Sequence, residues 1–160
     1  MHVSQSDDAS WLARLQKLED AEEIRTLLLS YGRFLDARRF KEYADLFAPD
    51  GEWVGGFGSV QGRAAIQTFM ERMVGTGPPT PGGKSYHLLT NFFVDVQGDT
   101  ATAQSRWAFV IPSPEGRPML AMGGHYDDFL VRIEGRWKLR RRVALTDIPA
   151  DPPGASGQPK

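Results

Sequence analysis

A histidine in a predicted strand is the first side chain of this protein with the chemistry to move a proton. His87 shares its parity with Leu89, Asn91 and Phe93 in a segment of strand-like composition. Imidazole titrates near neutral pH, which suits a group that accepts and returns protons. A lone strand histidine is nevertheless more often structural or exposed, so the residues around His87 leave both interpretations open.

Tyr31 and Asp36 lie near the end of a long predicted helix. Tyr31 belongs to an apolar stripe and is interpreted as a core aromatic residue with its hydroxyl at the edge. Asp36 falls off that stripe, and five residues turn an ideal helix by about 140°, so the spacing alone does not bring the two side chains together. On the residues alone, Asp36 is a solvated carboxylate at a helix end.

His125 and Arg141 are the other polar candidates in predicted strands. His125 follows two glycines and shares its parity with apolar residues such as Phe129, which predicts that it faces the core. It is either a core histidine bonded to a carbonyl or a second acid or polar anchor. Arg141 shares its parity with Trp137, Leu139 and other apolar residues. An inward guanidinium would need a carboxylate or an anionic ligand group, whereas the alternative is a packed stem with its charge in solvent.

The composition bounds the function. The chain has 160 residues, no cysteine and a formal net charge of −1 at pH 7. That length fits one domain, and the absence of cysteine excludes disulfides and thiolate chemistry. The balanced charge gives no field for nucleic acid or an anionic membrane. No apolar stretch is long enough to span a bilayer, and the polar N-terminus is unlike a signal peptide. We therefore expect a cytoplasmic protein without nucleic-acid or membrane partners.

Familiar cofactor and metal motifs are missing from the sequence. The histidines and carboxylates lack local ligand spacing such as H-E-x-x-H, and there is no P-loop or dinucleotide fingerprint. A G-x-S-x-G nucleophile motif is also lacking. The sequence therefore predicts neither a metal nor a cofactor.

The elements that must position these residues divide the chain into a helical first half and a strand-rich second half. Helices are predicted from Ser10, from Asp20 with Glu23 as a capping box, over residues 40–47, and after Gly62. A brief strand is predicted at 52–56, and longer strands at 86–96, 101–111, 120–133 and 137–146. Helices followed by antiparallel strands give an α+β domain with its helices on one side of a curved sheet.

We expect this domain to span residues 9–148, with flexible termini at 1–8 and 149–160. The Gly- and Pro-rich stretch 75–84 cannot form a helix or a strand. It is predicted to be a loop that closes over a pocket as a lid.

Several short motifs occur in an order that matches a known family. They are Ile24-Arg25-x-Leu27-x-x-x-Tyr31-x-x-x-Leu35-Asp36, Leu46-Phe47-Ala48-Pro49-Asp50-Gly51, Gly62-Arg63-x-x-Ile66, His87-x-x-x-Asn91, Gly98-Asp99-x-Ala101, Gly124-x-Tyr126-x-Asp128 and Gly135-Arg136-Trp137. Together they resemble the SnoaL-like domain of the NTF2-like superfamily, of the scytalone dehydratase and bile-acid dehydratase type. The resemblance implies a cone in which helices and a mostly antiparallel sheet enclose one apolar pocket.

The resemblance also implies a catalytic site. An Asp near the end of the first helix and a His on the following long strand meet inside the pocket of such enzymes, and these positions match Asp36 and His87. A Tyr five residues before the Asp faces the substrate, and Tyr31 matches it. This chain departs from the bile-acid enzymes at two places. It has Trp53 where they have a Tyr, and Thr146 where they have an Arg, for which Arg141 is a candidate substitute.

These roles imply a cofactor-independent lyase or isomerase that abstracts a proton next to a carbonyl. The expected reaction is dehydration of a hydrophobic polycyclic, steroid-like or polyketide-like compound, with His87 as base and acid, Asp36 orienting it, Tyr31 as donor and His125 as a second acid. The predicted substrate contacts are Trp53, Phe57, Phe69, Met73, Leu89, Trp107, Phe109, Met122, Phe129 and Arg141. Two alternatives stay open: a polyketide cyclase, and a non-catalytic binding or assembly module such as the small subunit of a ring-hydroxylating dioxygenase.

A homo-oligomer, trimer or dimer, is the expected assembly, because relatives of this type associate. The predicted contact surface is the sheet face turned away from the pocket. Its residues are Thr102, Arg106, Ala108 and Val110.

Overall fold

The computed structural model describes residues 5–75 and 85–148. Its helices are α1 (Gln5–Asp36), α2 (Phe40–Ala44) and α3 (Arg63–Val74). Its strands are β1 (Phe47–Gly55), β2 (Gly58–Gln61), β3 (Tyr86–Gln97), β4 (Thr100–Pro112), β5 (Pro118–Ile133) and β6 (Arg136–Ile148). Only Gly75 of the predicted lid is described, and residues 76–84 lie outside the described residues. The predicted C-terminal tail, residues 149–160, also lies outside them.

Six strands form one sheet in the order β2-β1-β6-β5-β4-β3. All neighbours are antiparallel except β1 and β6, which run parallel. The helix α1 lies along the sheet and contacts β3 and β6, while α3 packs beside β1. The predicted α+β architecture, with helices on one side of a mostly antiparallel sheet, is confirmed. None of the described helices combines the length and apolar character needed to cross a membrane.

The first helix is continuous, so the prediction of two separate helix starts at Ser10 and Asp20 was wrong. The Asp20 carboxylate caps nothing. Instead it accepts hydrogen bonds from Arg132 Nη2 at 2.7 Å and from Trp137 Nε1 at 3.2 Å. These contacts join the middle of α1 to the β5–β6 hairpin, and the Arg132 hydrogen bond holds the pKa of Asp20 below its ordinary value although burial opposes the shift.

The segment after α2 is strand rather than helix. Phe47, predicted in a helix, begins β1, and β1 is therefore longer than the brief strand predicted at 52–56. The pairing with β6 shifts register between Phe47 and Glu52, and the turn signal Pro49-Asp50-Gly51 falls within that irregularity. The short partner strand β2 was not predicted.

Two bulges decide which strand residues face the helices. In β3 the register shifts between Thr90 and Phe93, where Asn91 has a φ of 53°. The parity set predicted from His87 therefore fails beyond the bulge, and Phe93 is 73% exposed. In β6 Phe129 pairs with Arg141, but Leu130 pairs with Leu139, which leaves Arg140 as the extra residue.

The core lies between α1 and the concave side of the sheet. Its members come from α1, α2, β1, α3 and the four long strands, and the largest fully buried side chains are Trp137, Arg142, Tyr43, Phe47, Ile24, Leu28, Ile66, Leu130 and Leu139. The core leaves one end of the domain open, and there the end of α1 faces the start of β3.

Candidate active site

A cavity of about 510 Å³ opens between the end of α1, α3 and the sheet. Apolar and aromatic side chains form most of its wall, and a few polar groups converge on it. The lining residues are Tyr31, Leu35, Asp36, Arg38, Trp53, Gly56, Phe57, Phe69, Met70, Met73, Val74, Ser85, His87, Trp107, Phe109, Met122, Tyr126, Ala144 and Thr146. Its size and composition are typical of a small-molecule site.

Asp36 and His87 meet at the wall of this cavity. His87 Nδ1 lies 2.6 Å from Asp36 Oδ1, and the His87 backbone N–H donates to Asp36 Oδ2 at 2.9 Å. His87 therefore holds both carboxylate oxygens of Asp36. These contacts fix the last turn of α1 against the beginning of β3. The two side chains are 19% and 23% exposed, so they are shielded but reachable.

The carboxylate determines which ring nitrogen of His87 carries the proton. A charged oxygen 2.6 Å from Nδ1 assigns the N–H to Nδ1 and leaves the lone pair on Nε2. The imidazole packs against Phe109, with ring centroids 4.8 Å apart, and lies 6.5 Å from the Trp107 centroid. The imidazole is thus held in place through Nδ1, with an aromatic wall beside it.

Tyr31 brings a hydroxyl to the same cavity. Its ring is buried, and Trp53 Nε1–H donates to Tyr31 Oη at 3.0 Å. Because the indole can only donate, this bond occupies a lone pair of the hydroxyl and leaves the Tyr31 proton for another acceptor. Trp53 is therefore a group that orients Tyr31.

A buried ion pair lies behind the two tyrosines of the cavity. Arg142 is fully buried and forms a bidentate pair with Asp128, with both N–O distances at 2.7 Å. Its guanidinium carbon lies 3.9 Å from the Tyr31 ring centroid and 4.1 Å from that of Tyr126. Burial lowers the pKa of Arg142, but the Asp128 charge and hydrogen bonds outweigh it and raise the pKa overall. The cation is permanent, and it stacks between two rings that face the ligand space.

Burial is the main reason why the pKa of the Tyr126 phenol lies well above its ordinary value. The neighbouring Tyr31 phenol also raises this pKa, and the positive charge of Arg142 lowers it. Its phenol is neutral at physiological pH. It can therefore act in the cavity as a hydrogen-bonding group and not as an anion.

Most of the predicted substrate contacts lie at the cavity. Those that line it are Trp53, Phe57, Phe69, Met73, Trp107, Phe109 and Met122, and three of the residues predicted as catalytic, Tyr31, Asp36 and His87, line it as well. Leu89, by contrast, packs against α1, where its Cδ1 lies 2.4 Å from the point that a Cβ on Gly32 would occupy. Phe129 lies on the outer face of the sheet and is 41% exposed. Neither contacts the ligand space.

His125 does not face the core, contrary to the prediction. The inward positions of β5 are Tyr126, Asp128 and Leu130, so His125 falls on the opposite face of the sheet. There its Nδ1 lies 2.8 Å from the Asp147 carboxylate, to which Arg106 also donates at 2.6 Å. His125 is therefore separated from the cavity by the sheet itself.

Arg141 also differs from the prediction, because the bulge at Arg140 reverses the parity of β6. Arg141 is half-exposed and donates to Glu52 at 2.8 Å. The inward arginine with a carboxylate partner exists, but it is Arg142, one residue later. Of the two alternatives left open for Arg141, a charge in solvent describes Arg141 itself, and an inward guanidinium paired with a carboxylate describes Arg142.

Two cavity residues, Tyr126 and Arg38, and one member of the buried ion pair, Asp128, were not proposed as site residues from the sequence. Tyr126 and Asp128 stood in the quoted motif Gly124-x-Tyr126-x-Asp128, whose alternate positions turn out to share the inward face. Gly124 is required there, because a Cβ would lie 1.9 Å from the Leu145 carbonyl oxygen. Arg38 carried no such signal, since it follows the helix in a polar run.

The described residues contain no group of three or more His, Asp or Glu side chains arranged to hold a metal ion. A second concavity of about 490 Å³ lies on the outer face of the sheet, lined by residues such as Phe93, Thr102 and Asp127. Neither His87 nor Asp36 reaches it.

Comparison with known families and proteins agrees with this geometry. A model of the SnoaL-like domain matches residues 16–143, most of the chain. The uncharacterized protein Rv2910c of Mycobacterium tuberculosis is 31% identical over 139 residues, which cover 85% of this chain and 90% of that protein. The family match begins within α1 and ends within β6.

Solved structures share the fold. An NTF2-like protein with a cystatin-like fold from Novosphingobium aromaticivorans superposes with a TM-score of 0.75 and 26% identity, over 98% of this chain and 95% of that one. ActVI-ORFA from Streptomyces coelicolor superposes with a TM-score of 0.68 and 23% identity, over 79% of this chain and 96% of that one. The second likeness is one of fold alone.

Proposed function

The chain belongs to the SnoaL-like domain family, and from that premise we propose that it is a lyase or isomerase that abstracts a proton next to a carbonyl group of a hydrophobic small molecule. The observation that carries the proposal is the 2.6 Å contact between His87 Nδ1 and Asp36 Oδ1 at the wall of an apolar cavity. A histidine held in this way has one nitrogen fixed and the other available as a base. The most direct reaction is dehydration of a β-hydroxy carbonyl compound.

The reaction uses one base that becomes the acid. His87 Nε2 takes the proton from the carbon next to the carbonyl, and the C–H electron pair moves to form an enolate. The enolate then re-forms the carbonyl and a new carbon–carbon double bond, and the C–O bond to the β-hydroxyl breaks. The proton now on Nε2 joins the departing hydroxide, so that the products are an unsaturated carbonyl compound and water. His87 returns to its neutral form at the end of the cycle.

Asp36 stabilises the charge that His87 acquires. The imidazolium formed after proton abstraction lies beside a carboxylate that is already hydrogen-bonded to it in the resting state. Because the two groups need not reorganise, the charge separation is favoured at the moment when it develops. Asp36 also keeps Nδ1 protonated, so that Nε2 is the basic nitrogen in each cycle.

Tyr31 donates to the carbonyl oxygen. The Trp53 indole N–H occupies the hydroxyl oxygen at 3.0 Å, which directs the Tyr31 proton toward another acceptor. The enolate oxygen is the acceptor whose charge grows during the reaction, and a fixed donor to it lowers the barrier. The Arg142 cation behind the Tyr31 ring favours negative charge on this side of the cavity.

The test uses 3-hydroxy-1-tetralone, a two-ring β-hydroxy ketone that loses water to give 1-naphthol after tautomerisation. We expect the protein to accelerate the appearance of naphthol fluorescence, and His87→Ala to lower that rate by about 10²- to 10⁴-fold, as for the loss of a general base. The matched control is His125→Ala. It removes a histidine from a second His–carboxylate pair of similar distance on the far face of the sheet, and it should leave the rate unchanged.

Equal losses in the two histidine variants would contradict the proposal, because the effect would then come from stability and not from the cavity. Binding of two-ring ketones without any dehydration, unaffected by His87→Ala, would favour the non-catalytic binding module instead. Exchange of the α-proton with deuterated solvent, without loss of water, would favour an isomerase or a cyclase.

A further inference from the structure

Arg38 occupies a backbone position that glycine favours. Its φ is 55°, in the left-handed region. The N–H of Arg38 bonds to Leu35 O at 3.0 Å and that of Arg39 to Phe34 O at 2.8 Å, which is the double hydrogen bond of a Schellman motif at the end of α1. Glycine is the usual residue at this position because it has no Cβ. An arginine is strained at this position, and such strain is often found where the side chain has a function. The surroundings of the Arg38 side chain are therefore of interest.

The Arg38 side chain turns toward the cavity and is only partly paired. Its Nη1 donates to the carbonyl oxygens of Val74 and Gly75, at 3.0 and 3.4 Å, at the end of α3. Its Nε is buried and has no hydrogen-bond partner among the described residues. A buried guanidinium N–H without a partner is uncommon, since burial removes water as an acceptor. The residue itself lines the cavity.

The unpaired edge of Arg38 has the geometry that binds a carboxylate. A guanidinium presents the Nε–H and Nη2–H donors side by side, and this edge donates one hydrogen bond to each oxygen of a carboxylate. The same protein shows that arrangement at Arg142, whose Nε and Nη2 each lie 2.7 Å from an Asp128 oxygen. In Arg38 the described hydrogen bonds all come from Nη1, so the Nε–Nη2 edge is the one left for a ligand.

No carboxylate of the described residues supplies that partner. Asp36 is two residues away, but His87 engages both of its oxygens. The neighbouring Arg39 makes the contrast clear, because its Nε and Nη2 both lie 2.9 Å from the Glu42 carboxylate and its guanidinium covers Phe34. One arginine of the pair is satisfied on the surface, and the other brings an unmatched charge to the cavity.

We propose that Arg38 anchors a carboxylate carried by the ligand of this cavity. This inference rests on the proposed function, since it assumes that the cavity takes a hydrophobic small molecule, and it narrows the substrate class to ring compounds that bear a carboxylate. The acid group binds at the end of α1, and the apolar rings lie along Trp107, Phe109 and Phe69. The reacting carbon then lies within the same cavity as His87.

The experiment compares two probes of nearly equal size, 2-naphthoate and methyl 2-naphthyl ketone. The ketone has a methyl group where 2-naphthoate has its charged oxygen. Their affinities are measured by calorimetry for the full chain and for Arg38→Gln. We expect Arg38→Gln to lower the affinity for 2-naphthoate by at least about 10-fold, the loss typical of a charged hydrogen bond. The affinity for the ketone should change by less than about 3-fold. Arg39→Gln removes the same charge one residue away and should leave both affinities unchanged.

A second variant guards against misfolding. Arg38→Gly suits the left-handed backbone, so it should fold and still lose 2-naphthoate selectively. Equal weakening of both probes would overturn the assignment and make Arg38 a structural cap of α3. No binding of 2-naphthoate by the unmodified protein would overturn it as well. Selective loss of affinity for 2-naphthoate in the Arg38 variants, combined with no dehydration by the unmodified protein, would support the carboxylate site and contradict the proposed function. The two outcomes can be distinguished because the binding measurement does not depend on turnover.

Discussion

At the scale of single residues, two histidines of this protein form similar pairs but have different surroundings. Both His87 and His125 place Nδ1 within 2.8 Å of a carboxylate. His87 lies at an apolar cavity beside Phe109, whereas His125 lies on the outer face, where Arg106 shares the carboxylate of Asp147. The pairing alone therefore does not mark a candidate base, and the cavity is the feature that separates them.

Tyr31 and Trp53 share one hydrogen bond, which allows their roles to be separated. Tyr31→Phe removes the proposed donor, and we expect the dehydration rate to fall by about 10²- to 10³-fold, the effect of losing one donor to a developing oxyanion. The buried Trp53 N–H loses its acceptor at the same time, at a cost of about 1–3 kcal/mol in unfolding free energy. Kinetics with 3-hydroxy-1-tetralone and urea unfolding measure the two effects.

Trp53→Phe is the matched variant, because it removes the same hydrogen bond and leaves the Tyr31 hydroxyl in place. We expect a rate loss well below that of Tyr31→Phe. If the two variants lose rate equally, Tyr31 acts through its position in the aromatic cluster and does not donate to the substrate.

At the scale of elements, β5 and β6 carry a buried ion pair that joins the site to the core. Arg142 and Asp128 are both fully buried in their side chains and are joined by two hydrogen bonds from Arg142 Nε and Nη2, while Arg142 Nη1 has no partner among the described residues. The pair is held between Tyr31 on α1 and Tyr126 on β5. Such a pair is costly to break, because the partner that remains keeps its charge without water.

We expect Arg142→Met to lower the free energy of unfolding by about 3–5 kcal/mol, since Asp128 is then buried without a partner. The double variant Arg142→Met with Asp128→Leu should recover most of that loss. Arg141→Met, one residue away in an exposed pair with Glu52, should cost about 1 kcal/mol or less. Guanidinium unfolding curves give the three values, and a double variant less stable than Arg142→Met would contradict this account of the pair.

The elements also show how far the sequence could predict this molecule. Alternation of apolar residues placed all four long strands, because one face of each is buried. The side of a strand that a residue faces depends on bulges, and one extra residue at Arg140 moved the buried arginine from the expected Arg141 to Arg142. The second bulge, at Asn91, likewise turned Phe93 outward.

Tertiary contacts overrode local signals in two other places. The sequence around Asp20 predicts a helix cap. In the structure its carboxylate instead accepts a hydrogen bond from Arg132, 112 residues away, and α1 continues past Asp20 without a break. The Asp36–His87 contact joins residues 51 apart. Helical geometry gave no reason to bring Asp36 to Tyr31 and the cavity, and the positions were expected from family resemblance alone.

At the scale of the whole molecule, the sheet has one face covered by helices and one face open in the described chain. Of the predicted contact residues, Thr102 and Arg106 lie on the open face and are exposed, but Val110 is only 5% exposed. Phe129 and Leu145, which are 41% and 40% exposed, also lie on this side. Their apolar area would be covered if copies of the chain met there.

We expect the protein to sediment as a trimer or a dimer that uses this face. Arg106→Glu places a negative charge beside Asp147 and should shift the protein toward monomer at micromolar concentration. Lys41→Glu, on α2 at the helical side, is the control and should not change the assembly. A monomeric unmodified protein in analytical ultracentrifugation would contradict the prediction.

The proposed reaction requires His87 and Asp36 to act as one unit, and a double-mutant cycle on the dehydration of 3-hydroxy-1-tetralone tests this most directly. His87→Ala removes the base, and Asp36→Asn keeps the shape of the side chain but loses the charge that stabilises the imidazolium. Each should lower the rate by about 10²- to 10⁴-fold, and the double variant should be little slower than His87→Ala alone. Rate losses that multiply in the double variant would show that the two residues act independently, and the proposed dyad would be wrong.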